Sequence, residues 1–145
     1  MAAIEFNSKS ESFSEFSNFY LASFEINNII WPSVENYFQA QKFPTDPILQ
    51  EKIRQASPQV AKRLGRTTSP HFKFNWEECK EDIMLEALQA KFNQHPELMA
   101  LLKSTGSALL KEKSARDSYW GGSTKMAKNR MGILLASVRD SLPTE

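Results

Sequence analysis

Short apolar runs near the N-terminus of the chain predict strands. The runs 24–26 and 29–31 flank Asn27-Asn28, and asparagine tolerates the positive φ angles that a two-residue hairpin turn requires. These two runs therefore predict a small β-hairpin. Residues 4–6 predict a further short strand, and residues 108–111 predict a strand that we expect to join the hairpin.

The other apolar positions recur every three or four residues, which is typical of helices with one face against a core. Serine, aspartate or asparagine stands before several of these runs, as expected of helix caps. Asn75 and Glu78 predict a capping box, and we expect Gly65 to end its helix in the left-handed conformation. The predicted helices are 33–43, 46–56, 57–65, 75–93, 96–103 and a C-terminal helix with the core stripe Met131, Leu134, Leu135, Val138 and Leu142.

The stretch WPSVENYFQAQKF, within the first of these helices, is the most informative. Glu35, Gln39 and Lys42 stand at i, i+4 and i+7 and therefore share one face. Most other positions are apolar, so we expect the helix to be buried. Because buried unpaired charge is very costly, these polar groups would pair with each other or line a cavity for a polar ligand. An ordinary amphipathic helix with a wet polar stripe is the alternative interpretation.

Length and composition predict one globular domain, residues 1–145. Of the 145 residues, 41% are hydrophobic and 24% are charged, near the averages of globular proteins. Together with the pattern of elements, this predicts a predominantly helical α+β domain with a small β-sheet or hairpin near the N-terminus. No apolar run is long enough to span a membrane and no signal peptide is evident, so we expect a cytoplasmic protein.

Cysteine content and charge narrow the possible ligands. Cys79 is the one cysteine, which excludes an internal disulfide and a cysteine-cluster metal site, and two isolated histidines do not make a zinc site. We therefore expect neither a metal nor a cofactor. The net charge of +1 gives no global attraction to nucleic acid or to an anionic membrane. Affinity for phosphate must come from a local pocket.

Candidate phosphate ligands occur in a glycine-rich loop and at two other places. In the loop ARDSYWGGSTKMAKNRMG, glycine N–H groups can approach phosphate oxygens closely, and the start of the following helix adds donors. An arginine directly after a helix suits phosphate, although a surface arginine there is also commonplace. A short polar residue among the aromatic residues of segment 13–20 is a further candidate. These candidates are Gly121, Gly122, Lys128, Asn129, Arg66 and Asn18.

An acid in a buried helix and an acid in a tryptophan-containing loop suggest chemistry at the anomeric carbon of a sugar. Cleavage there passes through an oxocarbenium-like cation, which a carboxylate such as Glu35 or Asp117 can stabilise. A desolvated Lys42 can instead lose its proton and form a Schiff base with a ring-opened sugar. The flat side chains that can stack on a base are Trp76, Tyr119 and Trp120.

An ordered set of short motifs covers the chain from about Phe16 to Arg139: FSNF, WPSVENYFQAQKF, LGR, NWEECKEDIM, ALQAKF, DSYWGG and KNRMGILL. This set closely resembles the NADAR family, the YbiA-like N-glycosidases. The resemblance implies a mainly helical α+β fold. It implies hydrolysis of N-glycosidic bonds in either of two substrate kinds, the ribosylamino-pyrimidine phosphates of riboflavin synthesis or ADP-ribose attached to guanine. It also implies a catalytic set of Glu35, Trp76, Asp117 and Trp120, with Lys42 as the candidate Schiff-base lysine.

We therefore expect a metal-free N-glycosidase that cleaves the bond between a base and a phosphorylated or ADP-linked ribose. Gln39 is expected to line the substrate site beside Glu35. The expected partners are a small ribosyl substrate and, for the guanine adduct, modified nucleic acid, but no membrane. A non-catalytic module that binds ADP-ribose or a nucleotide is the alternative, motivated by the loop sequence GGSTKMA, which departs from the family pattern. A helical protein-interaction module is the third possibility.

Overall fold

The structure, a computed structural model, describes residues 3–141 and separates into two compact units. The terminal unit comprises Met1–Tyr20 and His95–Glu145, and the central unit is Leu21–Gln94. The predicted α+β fold, predominantly helical, is confirmed, whereas a single domain over 1–145 stays a prediction. The described elements are β1 (Ile4–Phe6), a 3₁₀ helix (Ser14–Phe16), β2 (Phe24–Ile26), β3 (Ile29–Trp31), α1 (Val34–Ala40), α2 (Pro47–Arg54), α3 (Pro58–Leu64), α4 (Trp76–Gln94), α5 (Pro96–Ser104), β4 (Leu110–Glu112) and α6 (Arg130–Arg139).

The central unit opens with the predicted hairpin. β2 and β3 pair antiparallel, with Ile26 opposite Ile29 at the turn. The turn residues Asn27 and Asn28 have φ angles of 54° and 67°. Positive φ at both central residues gives the twist that fits a two-residue turn to its strands, so the asparagine pair confirms the prediction.

The starts of three helices in the central unit also agree with their predicted caps. Ser33 Oγ accepts a hydrogen bond from the Asn36 N–H, and Asp46 Oδ1 accepts one from the Leu49 N–H at 3.1 Å. Ser57 caps α3 in the same way. Each such bond satisfies a backbone donor that the helix itself leaves unpaired, worth about 1 kcal/mol.

The predicted end of α1 and the predicted cap of α4 in this unit are wrong in detail. α1 ends at Ala40 and not at residue 43, so Lys42 lies in the turn after the helix. The cause is Pro44, because a residue before proline avoids helical backbone angles, and the Phe43 N–H bonds back only to the Ala40 carbonyl. At the start of α4, Asn75 Oδ1 is buried without a hydrogen-bond partner among the described residues, so the side-chain part of the predicted capping box is absent there.

The terminal unit is built around a parallel strand pair. β1 pairs with β4, in the register Ile4 to Leu110, Glu5 to Lys111 and Phe6 to Glu112. The strand after Ala108 therefore exists, but the prediction that it joins the hairpin is wrong. Parallel pairing of segments a hundred residues apart depends on the packing of the unit around them, which short sequence patterns do not encode.

α6 packs against β4 through a stripe of buried apolar side chains. Met131, Leu134, Leu135 and Val138 are buried, as predicted, and Leu142 lies outside the described residues. Between residues 3 and 141 no helix is long and apolar enough to cross a membrane.

Gly132 lets α6 approach β4 closely. A Cβ at this position would lie less than 3.0 Å from the Leu110 carbonyl oxygen, which belongs to the backbone and cannot rotate away. We expect Gly132→Ala to destabilise the protein by about 1–3 kcal/mol through overpacking, although alanine normally stabilises a helix by about 1 kcal/mol relative to glycine. Urea denaturation measures the change in unfolding free energy.

The matched control is Ser137→Ala at an exposed position of the same helix. This variant is expected to be neutral or slightly stabilising, since alanine has the higher helix propensity. A stabilised Gly132→Ala variant would contradict the close packing of α6 on β4.

Candidate active site

Glu35 is buried in the first turn of α1. All seven residues of this helix are buried, and Glu35 is only 6% exposed, so the alternative of a wet polar stripe does not apply. Gln39 Nε2 donates a hydrogen bond to Glu35 Oε2 at 2.7 Å, as their i, i+4 spacing permits. A buried carboxylate without donors would be very costly, and this amide supplies one of them.

Gly65 bounds the Gln39 side chain from the end of α3. Its φ of −63° is right-handed helical, so the predicted left-handed conformation is wrong. A Cβ at this position would lie less than 3.0 Å from Gln39 Oε1, an atom that is buried without a hydrogen-bond partner among the described residues. Glycine therefore stands here because the Gln39 amide occupies the space of a side chain.

Lys42 lies half-buried in the turn after α1, where burial lowers the pKa of its ammonium below the usual value. The negative charge of Glu35 opposes this effect, whereas the positive charge of Arg66 reinforces it. The charge of Glu77 likewise raises the pKa of Lys42, and the charge of Lys62 lowers it. Lys42 therefore belongs to a local cluster of mixed charge.

Aromatic rings form the apolar side of this cluster. Lys42 Nζ lies 5.8 Å from the ring centroid of Phe38 and 5.7 Å from that of Trp76. The rings of Phe38 and Trp76 pack edge to face with centroids 5.0 Å apart, and Phe72 lies beside Trp76 at 6.5 Å. Trp76 is only 5% exposed, so it is a buried wall of the cluster. A stacking role for it stays a prediction.

Asp117, the second predicted acid, is an exposed residue of the glycine-rich loop. Its Oδ1 accepts hydrogen bonds from the N–H groups of Tyr119 at 3.0 Å and Trp120 at 2.9 Å. Such a turn is a common structural use of aspartate. The Tyr119 and Trp120 rings pack edge to face at 5.0 Å, with Lys128 Nζ 5.6 Å from the Tyr119 centroid.

Several backbone donors of this loop are used within the terminal unit. Gly121 donates to the Asp117 carbonyl at 3.1 Å and Gly122 to the Glu112 carbonyl at 2.8 Å. The N–H groups of the first two residues of α6 and of the two residues before it donate to the backbone carbonyls of residues 118–121. These donors are Lys128, Asn129, Arg130 and Met131. These N–H groups are therefore already bonded within the unit, and a phosphate cradle built from them stays a prediction.

Asn129 joins the loop to the strand pair. Its Nδ2 donates to the Leu110 carbonyl at 2.9 Å, and its backbone is left-handed with φ of 53°. A Cβ at Gly122 would lie less than 3.0 Å from Asn129 Oδ1. The observed contacts of Gly122 and Asn129 thus shape the loop, and a binding role for them stays a prediction.

Each unit brings one group of predicted residues together. The central unit combines Glu35, Gln39, Lys42, Arg66 and Trp76, whereas the terminal unit carries the loop residues and Asn18, which is 7% exposed. The sequence interpretation missed Lys62, Phe72 and Glu77, since neither charge nor aromaticity alone distinguishes them from surface residues. No group of three His, Cys, Asp or Glu side chains suited to a metal ion occurs between residues 3 and 141. The catalytic and binding assignments stay predictions, as does a cleft shared by Glu35 and Asp117.

Comparison with known proteins identifies the family. The sequence model of the NADAR domain matches residues 5–143. N-glycosidase YbiA of Escherichia coli strain K12 is 45% identical over 143 residues, which are 98% of this chain and 89% of that protein. A riboflavin biosynthesis protein of Vibrio vulnificus is 36% identical over 141 residues, 96% of this chain and 38% of that protein. The NMR structure of E. coli YbiA matches with a TM-score of 0.86 and 45% identity over 96% of this chain and 83% of that one. The chain belongs to the NADAR family.

Proposed function

We propose that this chain is an N-glycosidase, an enzyme that hydrolyses the bond between a ribose carbon and the nitrogen of a base. The observation that carries the proposal is the buried carboxylate of Glu35, oriented by Gln39 and located near a lysine of lowered pKa. Similarity to proteins named N-glycosidase supports it. Perturbed ionisable groups against an aromatic wall are typical of catalytic sites.

Glu35 acts at the anomeric carbon. When the base departs with the electron pair of the N-glycosidic bond, positive charge develops on the anomeric carbon and the ring oxygen. A buried carboxylate stabilises this charge more strongly than a solvated one, because little water screens it. Glu35 then accepts a proton from the attacking water, whose oxygen bonds to the anomeric carbon, and the base takes up a proton as it leaves.

Lys42 offers a second route. Its lowered pKa increases the fraction of neutral amine near neutral pH. The neutral amine displaces the base from the anomeric carbon of a ring-opened sugar, forming a Schiff base that water then hydrolyses. In the direct route, the charged form of the same side chain donates the proton that the leaving base needs.

Side chains recognise the rest of the substrate, a phosphorylated or ADP-linked ribosyl compound in the cytoplasm. Since the loop donors Gly121 and Gly122 are occupied, the side chains proposed to bind phosphate are Arg66 in the central unit and Lys128 and Asn18 in the terminal unit. The carboxylate of Asp117 is proposed to help stabilise the positive charge that develops at the anomeric carbon. The aromatic side chains that contact the base are Trp76, Tyr119 and Trp120.

Glu35→Gln keeps the shape of the side chain and removes its charge. We expect it to lower kcat at least a hundredfold, because the carboxylate stabilises charge in the transition state. The measurement is release of ribose phosphate from a ribosylamino-pyrimidine phosphate and of ADP-ribose from ADP-ribosylated guanosine, assayed side by side. Both are candidate substrates of this proposal.

Glu78→Gln is the matched control, since Glu78 is an exposed carboxylate on α4. It is expected to retain wild-type turnover. Undiminished turnover by Glu35→Gln would refute the assignment of Glu35. Tight binding of ADP-ribose with no turnover of either substrate by the wild type would favour the non-catalytic binding module.

The charge cluster predicts opposite shifts in the Lys42 pKa for two variants. Glu35→Gln removes a negative charge and should lower the pKa of Lys42 further, whereas Arg66→Met removes a positive charge and should raise it. NMR titration of the Lys42 ε-methylene signals measures both shifts.

Glu78→Gln again serves as the control, because Glu78 is not among the groups that shift Lys42. An unchanged Lys42 pKa in both charge variants would show that Glu35 and Arg66 do not act on this lysine.

Trapping with borohydride during turnover distinguishes the Schiff-base route from direct attack by water, since only the Schiff base leaves a reduced adduct on Lys42.

A further inference from the structure

The backbone at position 65 gives no reason for glycine. Gly65 has φ of −63° and ψ of −12°, angles that every L-residue adopts readily. Glycine at such a position loses more conformational freedom on folding than alanine does, which costs about 0.5–1 kcal/mol. The advantage of glycine here must therefore lie in the space around its Cα.

That space is filled by the end of one side chain. A Cβ on residue 65 would lie less than 3.0 Å from Gln39 Oε1, 2.7 Å from Gln39 Cδ and 3.3 Å from Gln39 Cβ. The first two distances are too short for any real contact, whereas the third needs a shift of only a few tenths of an ångström. A side chain at position 65 therefore displaces the amide group and leaves α1 almost where it is.

The displaced amide is the group that donates to the proposed catalytic carboxylate. Gln39 Nε2 lies 2.7 Å from Glu35 Oε2, and Gln39 is only 6% exposed, which limits where the amide can move. A rotation that carries Oε1 and Cδ away from position 65 also moves Nε2. Glu35 then loses this donor inside a buried environment, which changes the orientation of its carboxylate.

We infer that Gly65 is a positioning residue of the active site, which acts through Gln39 on Glu35. The inference rests on the proposed function, because it gives Glu35 the catalytic role. Gly65 itself touches neither the substrate nor the reacting atoms. Its contribution is the absence of a side chain, which leaves room for the Gln39 amide.

A double-mutant cycle tests this chain of contacts. We expect Gly65→Ala to lower kcat about tenfold to a hundredfold, the usual cost of a displaced catalytic group, with a much smaller change in KM. Gln39→Ala removes the side chain that alanine at 65 would strike. Adding Gly65→Ala to Gln39→Ala should therefore change kcat less than about twofold, because the two substitutions act through the same contact.

Gly106→Ala separates positioning from a general loss of stability. Gly106 has φ of +64°, so alanine is strained there, but no atom lies within 4 Å of the added Cβ. We expect this variant to lower the melting temperature and to keep the wild-type kcat. Gly65→Ala should lower kcat far more than Gly106→Ala does, at a similar or smaller loss of melting temperature.

A second measurement does not require turnover. The side-chain amide signals of Gln39 in a ¹H–¹⁵N NMR spectrum report its hydrogen bond to Glu35, and Gly65→Ala should shift them. If the wild type cleaves neither substrate but the signals shift, the proposed function fails while the Gly65–Gln39–Glu35 contact stands. Unshifted signals, wild-type kcat in Gly65→Ala, or an equal loss of kcat from Gly65→Ala in both backgrounds would each overturn the inference.

Discussion

The burial of a carboxylate in α1 is the constraint on which the central unit depends. Every residue of this helix is buried, so Glu35 gives up most of its hydration and must be compensated by fixed groups nearby. One is the amide of Gln39, which lies one helical turn away. Another is the positive charge of Lys42, which is itself partly desolvated and whose pKa is raised by the charge of Glu35 against the lowering effect of burial. The charges of Glu35 and Lys42 are therefore each part of the environment of the other.

The same constraint extends to a second helix. Because the Gln39 amide occupies the space beside the end of α3, position 65 must lack a side chain. The terminal unit repeats this solution independently. There the Asn129 amide bonds to the Leu110 carbonyl, and Gly122 and Gly132 leave the room that this contact requires. In both units, glycines that the sequence alone would suggest to be flexible turn residues are sites of close packing.

The parts of the fold that could be predicted from sequence are those decided by neighbouring residues. Ser33 caps α1 and the asparagine pair turns the hairpin, because each acts on backbone groups within a few residues. The contact between Glu35 and Gln39 was predictable for the same reason. The reason for glycine at position 65 was not, because it lies in the space taken up by the Gln39 side chain, which is far away in the sequence.

The glycine-rich loop shows how contacts that the local sequence does not predict change the expected mode of ligand recognition. Its sequence is typical of a backbone anion site, but the N–H groups of Gly121 and Gly122 already bond to carbonyls within the unit. Because these donors are occupied, the proposed function assigns phosphate binding to charged side chains such as Lys128. Recognition by exposed side chains is screened by salt and changes with a single substitution, unlike recognition by a backbone cradle. With a net charge of only +1, the chain has no general electrostatic attraction to replace those side chains.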